Sequence, residues 1–480
     1  MVRGLGIVQT VAGRSFFAAR APLAFALVVA IPASAQILAA QRLAPTAPEP
    51  NGIAAAPQAA PPVKERSLFD RFPSRPSLPP SFTIPIEPLG FSAPGPIYLG
   101  ARNTMTSLDF LDENRLLFTF HIPGLLHRDF ADSNESDERR IRAVVLTLPQ
   151  GAVEAEATWT VHDRVRYLWP LLNGRFLLRD RNNLLEGGAS LALKPFLDFP
   201  GALLSLDLDP AQHFLVTNSR EPAANPAITD DRASSSQSQL TPGEVSSPST
   251  ASATVTTDQD SALENSRPDL VVRILRRDTG EVLLISRVRT TVHLPINSTG
   301  YLENLRGQGT EWILNLNYFT GGTKMLGRVE STCAPDDNFI SEQEILVTAC
   351  GPSGESKLVA MTTGGRTLWI SQTPSTEVWP QIVMAANGSR LAWETLDTTH
   401  NVDAFAPIDA EDVKEQSVTV FDAASGDIAL VSPVSPILDV GGNVALSPSG
   451  RRVALLNAGA VLVFELPPPP PLPGAASANP

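Results

Sequence analysis

Few residues in this sequence have the types and spacing to do chemistry. His121, His127, Asp129 and Asp132 lie close enough together to suggest a metal cluster. Their spacing fits neither a zinc motif nor a calcium loop, since no glycine sits mid-loop and no glutamate closes it. The following Asn134-Glu135-Ser136-Asp137-Glu138-Arg139-Arg140 reads as a solvated loop of mixed charge, so no metal ligands are assigned. His162, His213, His293 and His400 are isolated and read as surface or strand-end residues. Cys333 and Cys350, the two cysteines of the chain, are expected to form a structural disulfide, with two buried free thiols as the alternative.

Searches for enzymatic motifs return nothing. There is no Gly-x-Ser-x-Gly elbow, His-Glu-x-x-His, phosphate-cradling loop, Cys-x-x-Cys or pair of helical carboxylates, so no catalytic residue and no cofactor ligand is named. A site assembled from single residues far apart in the chain would escape such a scan. Asn134-Glu135-Ser136, Asn297-Ser298-Thr299 and Asn387-Gly388-Ser389 fit the glycosylation sequon, a triplet common by chance. Trp169-Pro170 and Trp379-Pro380 each precede a glycine turn. Packing between neighbouring sheets is the expectation for both, with a ligand platform as the alternative. Trp312, Trp369 and Trp393 sit inside strand patterns and read as core.

The elements that would position these residues lie between two tails. Residues 1–35 read as an export signal: Arg3, Arg14 and Arg20 give a basic start, residues 21–31 are apolar, Pro32 breaks the run, and Ala33-Ser34-Ala35 offers a cleavage site between Ala35 and Gln36. The apolar run is about 15 residues, shorter than the roughly 20 that a membrane span needs. The whole chain of 480 residues carries 37 basic and 50 acidic residues, a formal net charge of -13. Loss of the signal removes three more basic groups. Such a balance disfavours nucleic acid and anionic lipid surfaces as partners, and no stable membrane insertion is expected after cleavage. Residues 36–90 form a Pro/Ala-rich linker expected to be disordered, and residues 467–480 a Pro-rich tail. About half of the 43 prolines fall in these tails. Residues 221–267, rich in Ser and Thr, read as a disordered insertion between two strands of the domain spanning 91–466.

Within that domain no long amphipathic helix pattern occurs. A polar turn followed by an apolar strand recurs instead at residues 112–118, 173–178, 209–216, 308–314, 341–347, 387–393 and 449–456. Each copy is followed by a hairpin, clearest at residues 271–284 with Asp278-Thr279-Gly280 and at 418–430 with Asp422-Ala423-Ala424-Ser425-Gly426. Residues 357–370, with Gly364-Gly365, and 314–329, with Gly321-Gly322, are weaker versions. Less the insertion and two long loops, residues 95–466 leave about 42 residues for each of seven units, enough for a sheet of four strands. The last copy ends near Phe464 without a partner, so a strand at about residues 91–99 is expected to complete it and close a ring without exposed edges.

These hairpins, with Leu446-Ser447-Pro448-Ser449-Gly450-Arg451-Arg452-Val453-Ala454, resemble the WD40-like and YVTN-type β-propeller repeats of exported bacterial proteins. The resemblance implies an all-β fold, a β-propeller of seven blades with four antiparallel strands each, between disordered N-terminal and C-terminal tails. The Gly-His and Trp-Asp signature of true WD40 blades is absent. The function expected is that of a non-enzymatic module binding an unknown protein or glycan, monomeric, without cofactor, in the periplasm or outside the cell. The alternative is a propeller hydrolase or lactonase with a metal at the tunnel mouth, which would need three or more ligands converging from different blades. A quinone-dependent dehydrogenase fits less well, because Gly365-Arg366-Thr367-Leu368-Trp369 is a lone copy of a pattern such enzymes repeat around the ring.

Overall fold

Each of the seven turn-strand copies becomes the bend into, and the whole or part of, the second strand of a separate sheet. These strands are Arg115–His121, Arg175–Asp180, Phe214–Glu221, Glu311–Tyr318, Glu344–Cys350, Arg390–Thr398 and Arg452–Asn457. Their apolar runs are nearly continuous because a blade is covered by a neighbour on both faces, so both sides of a second strand are buried. The computed structural model describes residues 64–67, 78–95, 106–122, 127–128, 137–162, 166–221, 269–401 and 408–469. The cleavage site at Ala35 and Gln36, residues 222–268 and residues 470–480 lie outside them.

The architecture is an all-β propeller of seven blades, built on the antiparallel four-stranded sheet. Blade 1 begins with Thr106–Asp112, blade 2 with Leu168–Leu171, blade 3 with Ala202–Leu208 and blade 4 with Gly300–Arg306. Blade 5 begins with Asp336–Phe339, blade 6 with Glu377–Met384 and blade 7 with Val444–Leu446. These first strands are the inner ones. In blade 3, Glu221 at the end of the second strand pairs with Asp269 at the start of the third, so residues 222–268 leave and re-enter at one point. Blade 4 shows three strands among the described residues, and its hairpin at Gly321-Gly322 joins the second to the third. Blade 5 carries an additional outer strand, Lys64–Ser67, running parallel to Thr367–Thr373.

Closure differs from the expectation at residues 91–99. Phe82–Pro85 pairs antiparallel with Ala460–Glu465 and supplies the outer strand of blade 7, with Ile84 opposite Val461. The peptide nitrogens of Ser81 and Ile86 extend the ladder to the carbonyls of Val463 and Gly459. The physical reason lies in the side chains and the donors. Ile84 and Ile86 are buried at 3% and 1% exposure, whereas Pro94 and Pro96 each remove a backbone donor from the later segment. Pro85 is tolerated because it stands at the end of an edge strand. Residues 91–95 lie outside any strand, and Phe91 packs instead on Phe118 and Phe120, ring centres 5.4 and 5.5 Å apart. The ring therefore draws on residues well before 91.

Seven apolar clusters hold the blades, one between each neighbouring pair. Ile84, Phe118, Val144 and Val461 join blades 7 and 1, and Leu117, Trp159, Tyr167 and Phe176 join blades 1 and 2. The series runs on through Leu177 with Leu215, Ile274 with Ile296, Leu314 with Val347, Trp369 with Trp393, and Val420 with Val453. Seven interfaces for seven blades means that the ring has no uncovered terminal blade face. Polar contacts lock the same seams. Arg390 Nε donates to Asp422 Oδ1 at 2.8 Å and Nη1 to the Gly450 carbonyl of blade 7 at 3.0 Å, while Arg452 Nη1 donates to the Glu113 carbonyl of blade 1.

Candidate functional site in the central channel

The first strands carry acidic residues among apolar neighbours: Asp109 in blade 1, Asp207 in blade 3, and Asp336 and Asp337 in blade 5. Blade packing fills the side-chain positions further out, so charge is tolerated near the axis, where water reaches it. Arg166, just before the first strand of blade 2, and His293, in the connection from blade 3 to blade 4, complete the group. Blades 3 and 5 are not neighbours, yet one imidazole touches both. His293 Nδ1 lies 3.5 Å from Asp207 Oδ2, and its Nε2 lies 3.4 Å from Asp336 Oδ1. Only close to the ring axis can two such blades be bridged by one side chain.

His293 Nε2 also donates to the Asp337 carbonyl at 2.7 Å. Burial by itself would lower the imidazole pKa. The hydrogen bond to Asp207, the charges of Asp207 and Asp336 and the Asp337 carbonyl outweigh it and raise the pKa to about 9. His293 is therefore a cation at neutral pH, and both ring nitrogens donate. Burial raises the carboxyl of Asp336, opposed by the His293 cation. Burial raises Asp337 further, to about 7, against the hydrogen bond it accepts from Asn304 of blade 4. Asn304 Nδ2 reaches Asp337 Oδ2 at 2.7 Å and the Pro335 carbonyl at 3.1 Å, while Asp337 Oδ1 has no partner.

Arg166 extends the row. Its Nε donates to the Leu168 carbonyl at 3.1 Å, and its guanidinium lies over the Trp169 ring, 5.5 Å from the centre. Loss of bulk solvation lowers its pKa, opposed by the charges of Asp109 and Asp207, so it lies within electrostatic reach of both. Asp109 is raised by burial, against a hydrogen bond from Ser107 and the charge of Arg166. Arg166 is exposed to solvent, within reach of carboxylates on blades 1 and 3. Asp207 and His293 are each 39% exposed and Asp336 48%. The sequence Asp109, Arg166, Asp207, His293, Asp336 thus alternates in sign from blade 1 to blade 5, leaving donors and acceptors side by side and facing water.

Of the residues singled out in the sequence, Cys333 and Cys350 come together, with their sulfurs 2.03 Å apart in a disulfide. His121 is held low by burial and then by the Arg139 cation. His127 pairs through its backbone with Glu138, and Asp129 and Asp132 lie outside the described residues. Among the described residues no three His, Cys, Asp or Glu side chains are placed to hold a metal. His162 Nδ1 lies 2.8 Å from Asp180 Oδ1, and His400 Nδ1 is 3.6 Å from Asp412 Oδ1. Trp169 is buried between blades 2 and 3, and Trp379 packs on Trp393 at 5.6 Å, so neither is a free platform. Trp369 and Trp393 are core at 1% and 0% exposure, whereas Trp312 is half-buried, its Nε1 donating to the Ser331 carbonyl.

His293, read from sequence as isolated, is the hub of the channel. No linear motif announces it, because its partners come from separate blades. A recoverable signal does exist: an aspartate flanked on both sides by apolar residues in a first strand, as in Leu108-Asp109-Phe110 and Leu206-Asp207-Leu208. A second buried acid, Glu394 in blade 6, is shut inside the protein, where burial raises its carboxyl well above the ordinary range against a hydrogen bond with Asn443. It accepts from Gln416 Nε2 and belongs to a structural network. Among the described residues no helix is long and apolar enough to cross a membrane.

The sequence matches no protein-family profile and no curated protein. Among solved structures, the chain is similar to the acylaminoacyl peptidase of Pyrococcus horikoshii, at 9% identity and a TM-score of 0.41, covering 73% of this chain and 49% of that one. It is likewise similar to the β-propeller domain of the Trilobed protease from Pyrococcus furiosus, at 9% identity and a TM-score of 0.41, covering 77% and 100%. Hydrazine synthase of Kuenenia stuttgartiensis shows 9% identity and a TM-score of 0.39, covering 76% and 96%. The chain spans about half the length of the peptidases it matches. The activities named for those proteins are theirs.

Proposed function

We propose that this chain is an exported, non-enzymatic binding module whose ligand, a protein or a glycan, engages the channel through Arg166, Asp207, His293 and Asp336. The observation that carries the reading is the water-facing row of alternating charge, bridged across blades 3 and 5 by His293. Within the row each charge has an opposite neighbour, so the channel presents polarity with little net field. Such a surface suits hydroxyl, amide and mixed-charge groups better than it suits a multivalent ion. The disulfide supports an oxidising compartment, the periplasm or the outside of the cell. The acidic net charge of the chain speaks against nucleic acid. WD40-like and YVTN-type repeats remain the family reading of the blade hairpins.

The test compares wild-type protein with the double variant Asp207→Asn/Asp336→Asn on a printed glycan array and in pull-downs from the exported fraction. Ligands bound by the wild type and lost by the variant support the channel reading. A ligand set that is the same for both proteins refutes it.

A further inference from the structure

Outside the channel, a cleft of about 350 Å³ opens between blades 4 and 5, beside the disulfide. That volume lies at the lower end of the range typical of small-molecule sites, about 300–1,000 Å³. Its wall combines Cys350 and Pro352 with the polar side chains of Glu330, Glu355, Lys357 and Gln372. The wall is fixed by local bonds. The Ser331 hydroxyl accepts from the Cys350 peptide nitrogen at 2.9 Å, and Thr332 Oγ1 donates to the Gly351 carbonyl at 3.2 Å. At Gly351 a Cβ atom would fall 2.1 Å from Glu355 Oε1, so only glycine lets that carboxylate lie against the turn.

The polar groups are engaged unequally. Glu330 uses Oε2 to accept from Thr310 at 2.6 Å, and Glu355 uses Oε2 to accept from the Ser353 peptide nitrogen at 2.9 Å, leaving each Oε1 without a hydrogen bond. Lys357 and Gln372, neighbours across the third and fourth strands of blade 5, are half-buried and make no side-chain hydrogen bond among the described residues. Among the described residues the cleft thus holds an ammonium, an amide and two carboxylate oxygens without a hydrogen-bond partner. With two carboxylates to one ammonium, a free anion meets net repulsion, while a cation is attracted overall but offers no acceptor to the Lys357 ammonium. Hydroxyl groups both donate and accept, and satisfy all four partners without bringing charge. Pro352 and the disulfide offer an apolar surface for the C–H face of a sugar ring.

We propose that this cleft is a binding site for a short neutral saccharide, one or two rings long, held by Lys357, Gln372, Glu330 and Glu355. The site is separate from the channel and does not depend on the channel's ligand. The experiment is saturation-transfer difference NMR with titration, on the full chain with its disulfide intact. The probes are cellobiose, maltose and N,N′-diacetylchitobiose, with galacturonate and glucosamine as charged comparators. At least one neutral disaccharide is expected to saturate, and Lys357→Ala and Gln372→Ala, each checked for an unchanged circular dichroism spectrum, to weaken it at least about tenfold. Absence of saturation by every neutral disaccharide overturns the proposal. So does binding by both variants as tight as that of the wild type, or tighter binding of a charged comparator. The channel reading is judged on Asp207→Asn/Asp336→Asn and this one on Lys357 and Gln372, so either can fail without the other.

Discussion

Removing one methyl-rich side chain from the closing strand should unlatch the ring locally. Ile84 sits opposite Val461 at 3% exposure, inside the cluster shared by blades 7 and 1, and a Cβ on Gly151 would fall 2.5 Å from its Cγ2, so the pocket around it is full. Ile84→Ala leaves a cavity there, and losses for such truncations run from about 2 to 5 kcal/mol. A value of about 3 kcal/mol corresponds to roughly a hundredfold rise in the opening equilibrium of the strand. Thr83, one position away and exposed, provides the control, since Thr83→Ala should change stability by less than about 0.5 kcal/mol. Hydrogen exchange read by mass spectrometry is the assay. The amides of Val461, Val463 and Glu465, which face the latch, should exchange about a hundredfold faster in Ile84→Ala, with those of Glu311–Tyr318 on blade 4 little changed. Equal acceleration in both strands, or none in either, would refute the view that Phe82–Pro85 is a separately opening latch.

The channel predicts two pH dependences, both readable as urea midpoints. The His293 pKa is raised from 6.5 to about 9, so its stabilisation is fully present below about 6.5 and is lost as pH rises through 9; His293→Gln should flatten that decline. The Asp337 carboxyl is raised from 3.8 to about 7, so the folded state holds its proton more tightly and stability falls as pH climbs between those values; Asp337→Asn should flatten the curve there. Replacing Cys333 and Cys350 by serine should cost on the order of 3 kcal/mol through greater freedom of the unfolded chain. An unchanged denaturation midpoint for that variant would contradict it. Glu394→Gln should be the mildest change at that site, because burial favours the uncharged acid and the amide keeps an acceptor, whereas Glu394→Ala removes one of the two acceptors of Gln416 Nε2, leaving the Leu438 carbonyl, and should cost about 1 to 3 kcal/mol in the same assay.

The second strands were legible in the sequence because they obey a local rule. A glycine or aspartate turn followed by an apolar run buried on both faces, as in Asn387-Gly388-Ser389-Arg390-Leu391-Ala392-Trp393, specifies the same bend each time. The closing strand lies ahead of residues 91–99 and escapes a sequence pattern because edge strands carry a weak one. Phe82-Thr83-Ile84-Pro85 has one fully buried side chain and a proline, and reads as linker until Val461 is seen beside it. Blade 4 departs from the repeat for a similar reason, since Gly321-Gly322 marks a hairpin without saying which pair of strands it joins. Site chemistry was least legible of all. Asp207, His293 and Asp336 are brought together by ring closure, a property of the entire sheet array and of no segment in it.

The latch also imposes an order on how the protein is made. Phe82–Pro85 emerges from the ribosome ahead of the inner strand of every blade, and its partner Ala460–Glu465 only after all seven inner strands. Until then blade 7 is missing, and the apolar faces of blades 1 and 6 that it will cover have nothing to cover them. A chain interrupted anywhere before Ala460 cannot seal, however well its earlier blades form. Joining an early strand to the last makes the finished ring its own proof that translation reached the end of the final blade.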